Sequence, residues 1–206
     1  SIATRISAQG DGVVVSFASA SSQIATTPDT ANLSVGDGTT DGPLSVVTLA
    51  NVTDTAAGRT LICKYISTGA AGEWWLYVQS NDTMRLVLRD DSVGECNRSS
   101  DSAITQGSLT LLGATYSAAT GGATAANDIA LYQNGALIAS TASNNAGYVA
   151  MENGTNPAAV GGYSNSGAGT FMDGSMGFAA MYAAALNVAQ HLEVKRAANK
   201  YYGLTL

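Results

Sequence analysis

The feature that most constrains this chain is a series of short runs in which side chains alternate with a period of two. Six such runs, rich in β-branched, aliphatic and aromatic residues, are separated by turn signals. They cover residues 12–18, 43–52, 59–66, 73–79, 83–90 and 108–116. Alternation with this period predicts half-buried strands. Because no helical pattern lies between the runs, we predict an antiparallel β-sandwich and not a series of βαβ units.

The alternation also predicts which side chains share a face. Within one run, Trp75 and Tyr77 fall on the face opposite Trp74, and in the next run Arg85 and Arg89 fall opposite three apolar residues. Successive residues of a strand point to opposite sides of the sheet. The two aromatic and the two arginine side chains are therefore predicted to point outward together. In run 59–66, one face is predicted to carry Leu61, Cys63 and Tyr65.

From Asp128 onwards the sequence predicts a hairpin, two further strands and one helix. Asn134-Gly135 lies between two alternating segments and fits a type I′ turn, which needs positive φ at both positions. The helix is predicted to begin after Asn187 as its N-cap and to end at Gly203. One stripe of this amphipathic helix, at steps of three and four residues, carries Val188, His191, Leu192, Lys195, Ala198 and Tyr202. We expect His191 to be a helix-surface residue near the sheet and not a catalyst, because the chain has no second histidine to assist it.

Length, composition and charge limit the classes of protein. A chain of 206 residues suits a single all-β domain over residues 1–206. Segment 117–128 is rich in Gly, Ala and Thr and is predicted to be an exposed loop. The formal net charge of −6 argues against a nucleic-acid partner. Because no transmembrane run and no apolar leader segment is present, we expect no membrane partner and synthesis in the cytoplasm.

The two cysteines, Cys63 and Cys96, leave three interpretations open. Both can be free thiols, with Cys63 as a small core residue. A disulfide is possible in an exported or virion-surface protein, where it would stabilise the fold by about 3–4 kcal/mol. Cross-linking between chains is the third. A four-ligand zinc site cannot be assembled within one chain from these cysteines and a single histidine.

Several motifs, taken in order, resemble a laminin-G-like domain of the concanavalin A-like lectin and glucanase superfamily. LYQNGALIASTAS (131–143) is similar to the strand pair with an Asn-Gly turn. FMDGSMGFAAMYAAALN (171–187) resembles the Phe-x-x-Gly turn and last strand, and VAQHLEVKRAANKYYGL (188–204) resembles the terminal helix. VVSFASASSQIAT (14–26) resembles the opening strand. The resemblance implies an all-β, two-sheet jelly-roll sandwich with one short C-terminal α-helix.

The resemblance also raises the question of catalysis. The β-glucanases of the superfamily carry a Glu-x-Asp-x-x-Glu strand motif, because retaining hydrolysis needs two carboxyl groups about 5 Å apart. This chain has no such motif and no Gly-x-Ser-x-Gly elbow. We therefore expect a protein that is not an enzyme.

A structural calcium ion is the one cofactor that the resemblance implies. Asp37 and Asp41 in VGDGTTDGP (35–43) are candidate ligands, since they lie close together with carbonyl groups between them. Calcium takes six to eight oxygen ligands, so the two acids would form only part of a site. The alternative is a pair of Asp-Gly turns.

A carbohydrate site would need exposed aromatic side chains with amides or charges beside them. The first candidate set is Trp75, Tyr77, Arg85 and Arg89. A second set is Tyr163 and Asn165 in the Gly-rich loop. The alternative for the Trp74-Trp75 pair is core packing, because large aromatic side chains usually dominate burial.

Two functions follow from these observations. The first is a structural protein of a phage virion surface, a capsid decoration or tail-associated protein that forms homo-oligomers with other virion proteins as partners. It would be made in the host cytoplasm. This hypothesis depends on analogy with proteins of similar fold. The second is a carbohydrate-binding module or adhesin domain of a secreted bacterial protein, with cell-surface glycans as partners.

Overall fold

The computed structural model describes residues 12–53, 56–65, 72–163 and 170–206. The strands within these ranges are β1 (Val15–Phe17), β2 (Ala25–Thr27), β3 (Leu44–Val52), β4 (Arg59–Lys64), β5 (Trp74–Val78), β6 (Met84–Asp90), β7 (Gly94–Ser100), β8 (Thr110–Tyr116), β9 (Ile129–Gln133), β10 (Ala136–Leu137), β11 (Ser140–Ser143), β12 (Ala158–Val160) and β13 (Gly174–Tyr182). The α-helix is α1 (Val188–Tyr202), and short 3₁₀ helices cover Ser19–Ser21, Ala31–Leu33 and Gly122–Asp128. No helix in the described ranges is long and apolar enough to cross a membrane.

The strands form two antiparallel sheets that face each other. The six-stranded sheet has the order β1-β13-β3-β8-β9-β10, and the seven-stranded sheet has the order β11-β7-β6-β5-β4-β12-β2. The order within each sheet is not the chain order, because several connections cross from one sheet to the other. The prediction of an all-β antiparallel jelly-roll sandwich with a C-terminal helix is confirmed.

The main core lies between the two sheets and is built mainly by alternation along the strands, with the irregularity in β4 as an exception. On β5, the core receives Trp74, Leu76 and Val78, all fully buried. The core-facing residues of β6 and β8 are Met84, Leu86, Leu88, Leu112, Ala114 and Tyr116. These are the positions that the period-two pattern predicts for one face of each strand. Residues of the opposite parity therefore lie on the two outer faces of the sandwich.

The outer face of the six-stranded sheet is covered by α1. Val47, Leu49 and Leu111 on this face form a second apolar cluster with Ala198 of the helix. Both predicted ends of the helix are correct. Asn187 forms a capping box with Gln190, and Gly203 ends the helix in the left-handed conformation, at φ 64°.

His191 is not a helix-surface residue, which corrects the expectation from sequence. It is 1% exposed and lies between α1 and the sheet. Its ring stacks on Tyr132 with centroids 3.8 Å apart, and its Nε2 is 2.9 Å from Oγ1 of Thr115. Gly113 lies beneath the ring, where an added Cβ would be 3.1 Å from His191 Cε1. Two residues of the predicted stripe, Val188 and Leu192, are exposed, so the part of the helix that is buried against the sheet is narrower than the stripe.

Four local features differ from the sequence predictions. The first strand is shorter than 12–18, because Val15–Phe17 alone pair with β13. Segment 117–128 is not entirely an exposed loop: its 3₁₀ helix buries Ala125 and Ala126. A register shift in β4 between Thr60 and Ile62 places Leu61 in the main core, so that it does not share the outer face with Cys63. The sequence patterns also missed β7, whose residues Gly94–Ser100 are mostly polar.

Cys63 and Cys96 are both buried and free, so of the three interpretations the intrachain disulfide does not fit this fold. Strands β4 and β7 are three positions apart in the seven-stranded sheet, or about 14 Å at the usual strand spacing. A disulfide needs Cα atoms closer than about 7 Å. Cys96 also faces the main core, whereas Cys63 belongs to a separate cluster with Tyr163. Burial raises the pKa of the Cys63 thiol to about 12.

Candidate functional site

The outer face of the seven-stranded sheet carries an aromatic and polar surface, here called the open face. Its residues are Tyr65, Trp75, Tyr77, Arg85, Arg89, Glu95, Asn97 and Ser99. Strand register places them in rows: Tyr77 is opposite Arg85, and Arg85 is opposite Ser99. Most of these side chains are partly exposed. In the described part of the chain, no helix covers this face.

The aromatic half of the open face is a row of stacked rings. Trp75 and Tyr77 stack with centroids 3.8 Å apart and 14° between their planes. Tyr65 stacks on Trp75 at 5.0 Å and 24°. Tyr163, which is 8% exposed, contacts both Tyr65 and Trp75 edge-on. The candidate Tyr163 therefore supports the row and is largely buried.

The stacking decides which part of each ring meets the solvent. Tyr77 follows Trp75 by two residues along β5, whereas Tyr65 lies beside the other end of that strand. Trp75 therefore has a ring on each of its two faces. Side chains stand roughly perpendicular to a sheet, so the exposed parts of the row are ring edges and the tyrosine hydroxyls. The Trp75 indole N–H is itself occupied, donating to Thr60 Oγ1 at 3.0 Å.

The polar half of the open face is built by β6, β7 and the turn between them. Arg85 donates through Nε to Ser99 Oγ at 2.8 Å and through Nη1 to the Tyr77 hydroxyl at 3.3 Å. Burial raises the pKa of Tyr77, although the Arg85 charge acts in the opposite direction. The Tyr77 hydroxyl therefore stays protonated at neutral pH.

Arg89, at the other end of the face, is held by two acids. Its Nε is 3.3 Å from Oδ1 of Asp91, and its Nη1 is 4.0 Å from Oε2 of Glu95. Asp91 also accepts a hydrogen bond from the backbone N–H of Gly72. The positive charge of Arg89 is thus compensated by Asp91 and Glu95, and the negative charges of these two acids are compensated by Arg89.

The carboxylates of Asp37 and Asp41, the candidate calcium ligands, accept hydrogen bonds from groups of the protein. Asp37 accepts from the backbone N–H groups of Thr39 and Thr40, which lower its pKa. Asp41 accepts from the Tyr116 and Tyr148 hydroxyls, both at 2.9 Å, and from the Met151 N–H at 2.8 Å. Burial nevertheless raises the pKa of Asp41. No cluster of three or more His, Cys, Asp or Glu suited to a metal occurs in the described ranges. The donor set that the described residues offer therefore does not favour calcium at this position.

Away from the open face, a buried ion pair joins Lys64 and Glu73. Lys64 also donates to Ser34 Oγ at 2.7 Å and to the Gly154 carbonyl at 2.6 Å, and Asp29 lies 3.0 Å away. Burial is the main cause that raises the pKa of Glu73, and the lysine opposes it. Asp29 and Ser34 lie between β2 and β3, and Gly154 lies between β11 and β12. Their contacts with Lys64 hold these two segments against β4. We assign this cluster a structural role, because a buried charge needs such partners.

A cleft of about 330 Å³ opens between the sheets beside β2 and β12. The small side chains of Ala25, Ala158 and Ala179 line this cleft, together with the larger side chains of Ile62 and Trp74. Its wall is largely apolar and contains no charged side chain. The cleft lies on the inner side of the seven-stranded sheet, so it is separate from the open face.

The structure brings together most of the residues that the sequence singled out for carbohydrate binding. Trp75, Tyr77, Arg85 and Arg89 share the open face, whereas Asn165 lies outside the described residues. The core-packing alternative is correct for Trp74 only, which is fully buried and donates to the Leu33 carbonyl. Sequence reasoning missed the β7 residues Glu95, Asn97 and Ser99. The turn signal Asp90-Asp91-Ser92-Val93-Gly94 after β6 could have predicted a returning strand there.

Comparison with known families gives the class of the protein. The model of a laminin-G-like family, described as the concanavalin A-like lectin/glucanases superfamily, matches residues 18–190. The chain belongs to this family. No match is found among curated protein sequences.

Solved structures with the same fold have low sequence identity to this chain. The CBM40 module of the Ruminococcus gnavus IT-sialidase, solved with α2,3-sialyllactose, is 13% identical, with a TM-score of 0.57 over 90% of this chain and 100% of that chain. A heptameric SAP-like pentraxin from Limulus polyphemus is 16% identical, with a TM-score of 0.51 over 84% of this chain and 80% of that one. The Trypanosoma rangeli sialidase is 13% identical, with a TM-score of 0.51 over 75% of this chain and 22% of that chain. At these identities the likeness establishes the fold alone.

Proposed function

We propose that this protein binds carbohydrate, and that the open face of the seven-stranded sheet is the binding surface. The observation that carries the proposal is the contrast between the two outer faces. One face is sealed by α1 with aliphatic side chains. The other exposes stacked aromatic rings beside arginine, carboxylate and hydroxyl groups. Such a mixture can contact both the C–H groups and the hydroxyl groups of a sugar.

The similar structures support the proposal at a coarse level. Among them is the R. gnavus CBM40 module, whose structures include complexes with α2,3- and α2,6-sialyllactose. The fold therefore serves glycan binding in at least one protein of similar architecture. What this chain binds has to be argued from its own residues, because fold alone does not fix function.

We propose binding without hydrolysis. A glycosidase needs a carboxylic acid with a raised pKa next to a second carboxylate. Among the described carboxylates, the pKa values of Asp41 and Glu73 are raised, and both groups are held by internal hydrogen bonds away from the open face. Glu95, the acid of the open face, and Asp91, in the turn beside it, both pair with Arg89. This arrangement suits recognition better than proton transfer.

The setting of the protein stays a prediction. A place on a phage virion, homo-oligomers, partners among virion proteins and the secreted bacterial alternative are all hypotheses from sequence and analogy. Purification of the protein from its native source, with the particle or secreted fraction assayed separately, would distinguish them.

The proposal is tested by binding of the purified protein to a printed glycan array, followed by titration calorimetry with the strongest ligands. Replacing Trp75→Ala removes the centre of the ring row and is expected to weaken binding at least ten-fold. Tyr201→Ala is the matched control, because Tyr201 is an aromatic residue of α1 that is 54% exposed on the other side of the sandwich. Circular dichroism melts of both variants report whether the fold is kept.

Two results would contradict the proposal. The first is an array on which the wild-type protein binds no glycan above background. The second is a folded Trp75→Ala variant that binds as tightly as the wild type and the Tyr201→Ala control, because the open face would then not be the surface used.

A further inference from the structure

We infer that the open face selects glycans that carry an anionic group, a carboxylate or a sulfate, and that Arg85 is the residue that binds this group. The inference rests on the proposed function and names the class of ligand for the same surface. Two independent features carry it: the orientation of the aromatic rings, and the charge of Arg85, which has no acidic partner among the described residues.

The ring row presents positive edges to the ligand. An aromatic ring has a negative face and a positive edge. Tyr65 and Tyr77 stack on Trp75 from opposite ends of β5, so the faces of the indole are used within the row and its edge points outward. A flat sugar ring therefore cannot stack on the indole. The surface instead favours electron-rich oxygen atoms, which are most electron-rich when they carry a negative charge.

Arg85 is held in place by neutral groups only. Its Nε donates to Ser99 and its Nη1 to Tyr77, and both acceptors are hydroxyl groups. Within the described ranges, no ion pair joins Arg85 to an acid. A guanidinium has five N–H donors. Two of them are used here, which leaves three for a ligand.

The second arginine of the same face shows why the pairing matters. Arg89 is held by Asp91 and Glu95, so its charge is already neutralised. Arg85 has a fixed position without a neutralising partner among the described residues. A guanidinium fork that is held in this way matches the two oxygens of a carboxylate or sulfate. The chain as a whole has a net charge of −6, so this local positive site acts at short range and not by general attraction.

The test uses one glycan core in three forms: lactose, 3′-sialyllactose and 3′-sulfolactose, with an array of neutral, carboxylated and sulfated versions of other cores. The full chain is titrated with each at low and high salt. We expect the acidic forms to bind at least about ten-fold more tightly than the neutral form, with a preference that weakens in high salt. The sialyl and sulfo arms distinguish a carboxylate from a sulfate ligand.

Three variants locate the effect. Arg85→Gln is expected to remove the preference for acidic glycans while residual binding of the neutral core remains. Arg85→Lys keeps the charge but loses the fork, and is expected to recover only part of the preference. Arg196→Gln removes the same charge from an exposed position on α1, where Arg196 pairs with Glu193, and is expected to keep the preference.

The possible results distinguish the inference about acidic glycans from the proposed function in carbohydrate binding. Equal binding of neutral and acidic forms, or a preference that survives in a folded Arg85→Gln variant, would overturn the inference and leave the proposed function in place. A protein that binds no member of the array in any form would overturn the proposed function, and the inference with it.

Discussion

The two outer faces of the sandwich are built on the same alternating strands, yet they are opposite in chemistry. Behind the six-stranded sheet, Val47, Leu49 and Leu111 lie under α1 in an apolar cluster. Behind the seven-stranded sheet, Trp75, Tyr77 and Arg85 stay partly exposed. Exposing the first face to water would cost free energy, because its side chains are apolar, and α1 covers it. The second face keeps polar groups beside its rings and is stable in water. Substitutions on the covered face should therefore lower the stability of the protein, whereas substitutions on the open face should weaken glycan binding.

The strongest test of this difference places a charge under the helix. Leu49 is fully buried between β3 and α1, so Leu49→Arg leaves an unpaired charge in an apolar site. We expect the free energy of unfolding to fall by about 4 kcal/mol or more, measured by urea denaturation. A variant with an unchanged midpoint would show that α1 is not packed on the sheet as described.

The next test uses pH to probe the covered face through His191. Burial lowers its pKa from 6.5 to about 4, so the folded state binds fewer protons than the unfolded state between these values. Stability is therefore expected to fall as the pH drops from about 6.5 to about 4, by up to about 3 kcal/mol from this residue.

The contribution of His191 is isolated by comparison with His191→Gln, which does not titrate. Carboxylates such as Asp90 and Asp128, whose pKa values are lowered by hydrogen bonds, also lose stabilising interactions in acid, but they do so in both proteins. The difference between the two stability curves should narrow below pH 6.5. Parallel curves would mean that His191 is solvated in the folded protein.

A smaller effect is expected at the start of the helix that forms the cover. Asn187 accepts from the Gln190 N–H at 3.0 Å, and Gln190 accepts in return from the Asn187 N–H. Asn187→Ala should cost about 1 kcal/mol, measured by thermal unfolding, while glycan binding is unchanged. Loss of binding in this variant would show that the two faces are coupled through the core.

The smallest stability effect is expected on the open face. Arg85→Leu removes two hydrogen bonds at a half-buried site, and we expect the free energy of unfolding to change by less than about 1 kcal/mol. The same variant should lose the preference for acidic glycans. A loss of several kcal/mol would mean that Arg85 is a structural residue and that the open face is part of the core.

The alternation of residues predicted much of the fold. Trp74 and Trp75 are identical in chemistry, and their parity alone places one in the core and the other outside. The Asn134-Gly135 turn has positive φ at both residues, 51° and 75°, as a type I′ turn requires. Strand β7 could not be found in the same way. Its outer residues Glu95 and Asn97 are polar because they belong to the open face, so the apolar signal of a strand is weak there.

The candidate site was predicted in part. Trp75, Tyr77, Arg85 and Arg89 were recognised because they alternate with apolar residues on adjacent strands. The row of stacked rings was not predicted, because Tyr65 and Tyr163 contact Trp75 from other parts of the chain. Among the described residues, Arg89 has acidic partners and Arg85 has none, and this difference depends on which residues of β7 and the β6–β7 turn lie beside each arginine.

The sequence by itself determined the features that depend on neighbours within a few residues. These are the parity of each strand, the Asn-Gly hairpin and the capping of α1 by Asn187 and Gly203. Only the tertiary structure decided which outer face is covered, that His191 is buried, and that Cys63 and Cys96 lie on different sides of a sheet. The physical reason is distance along the chain: α1 covers strands that precede it by more than 70 residues, as the contact of His191 with Thr115 shows. A pattern of period two specifies that a strand has two faces, but the partner of each face is chosen by the packing of the whole chain.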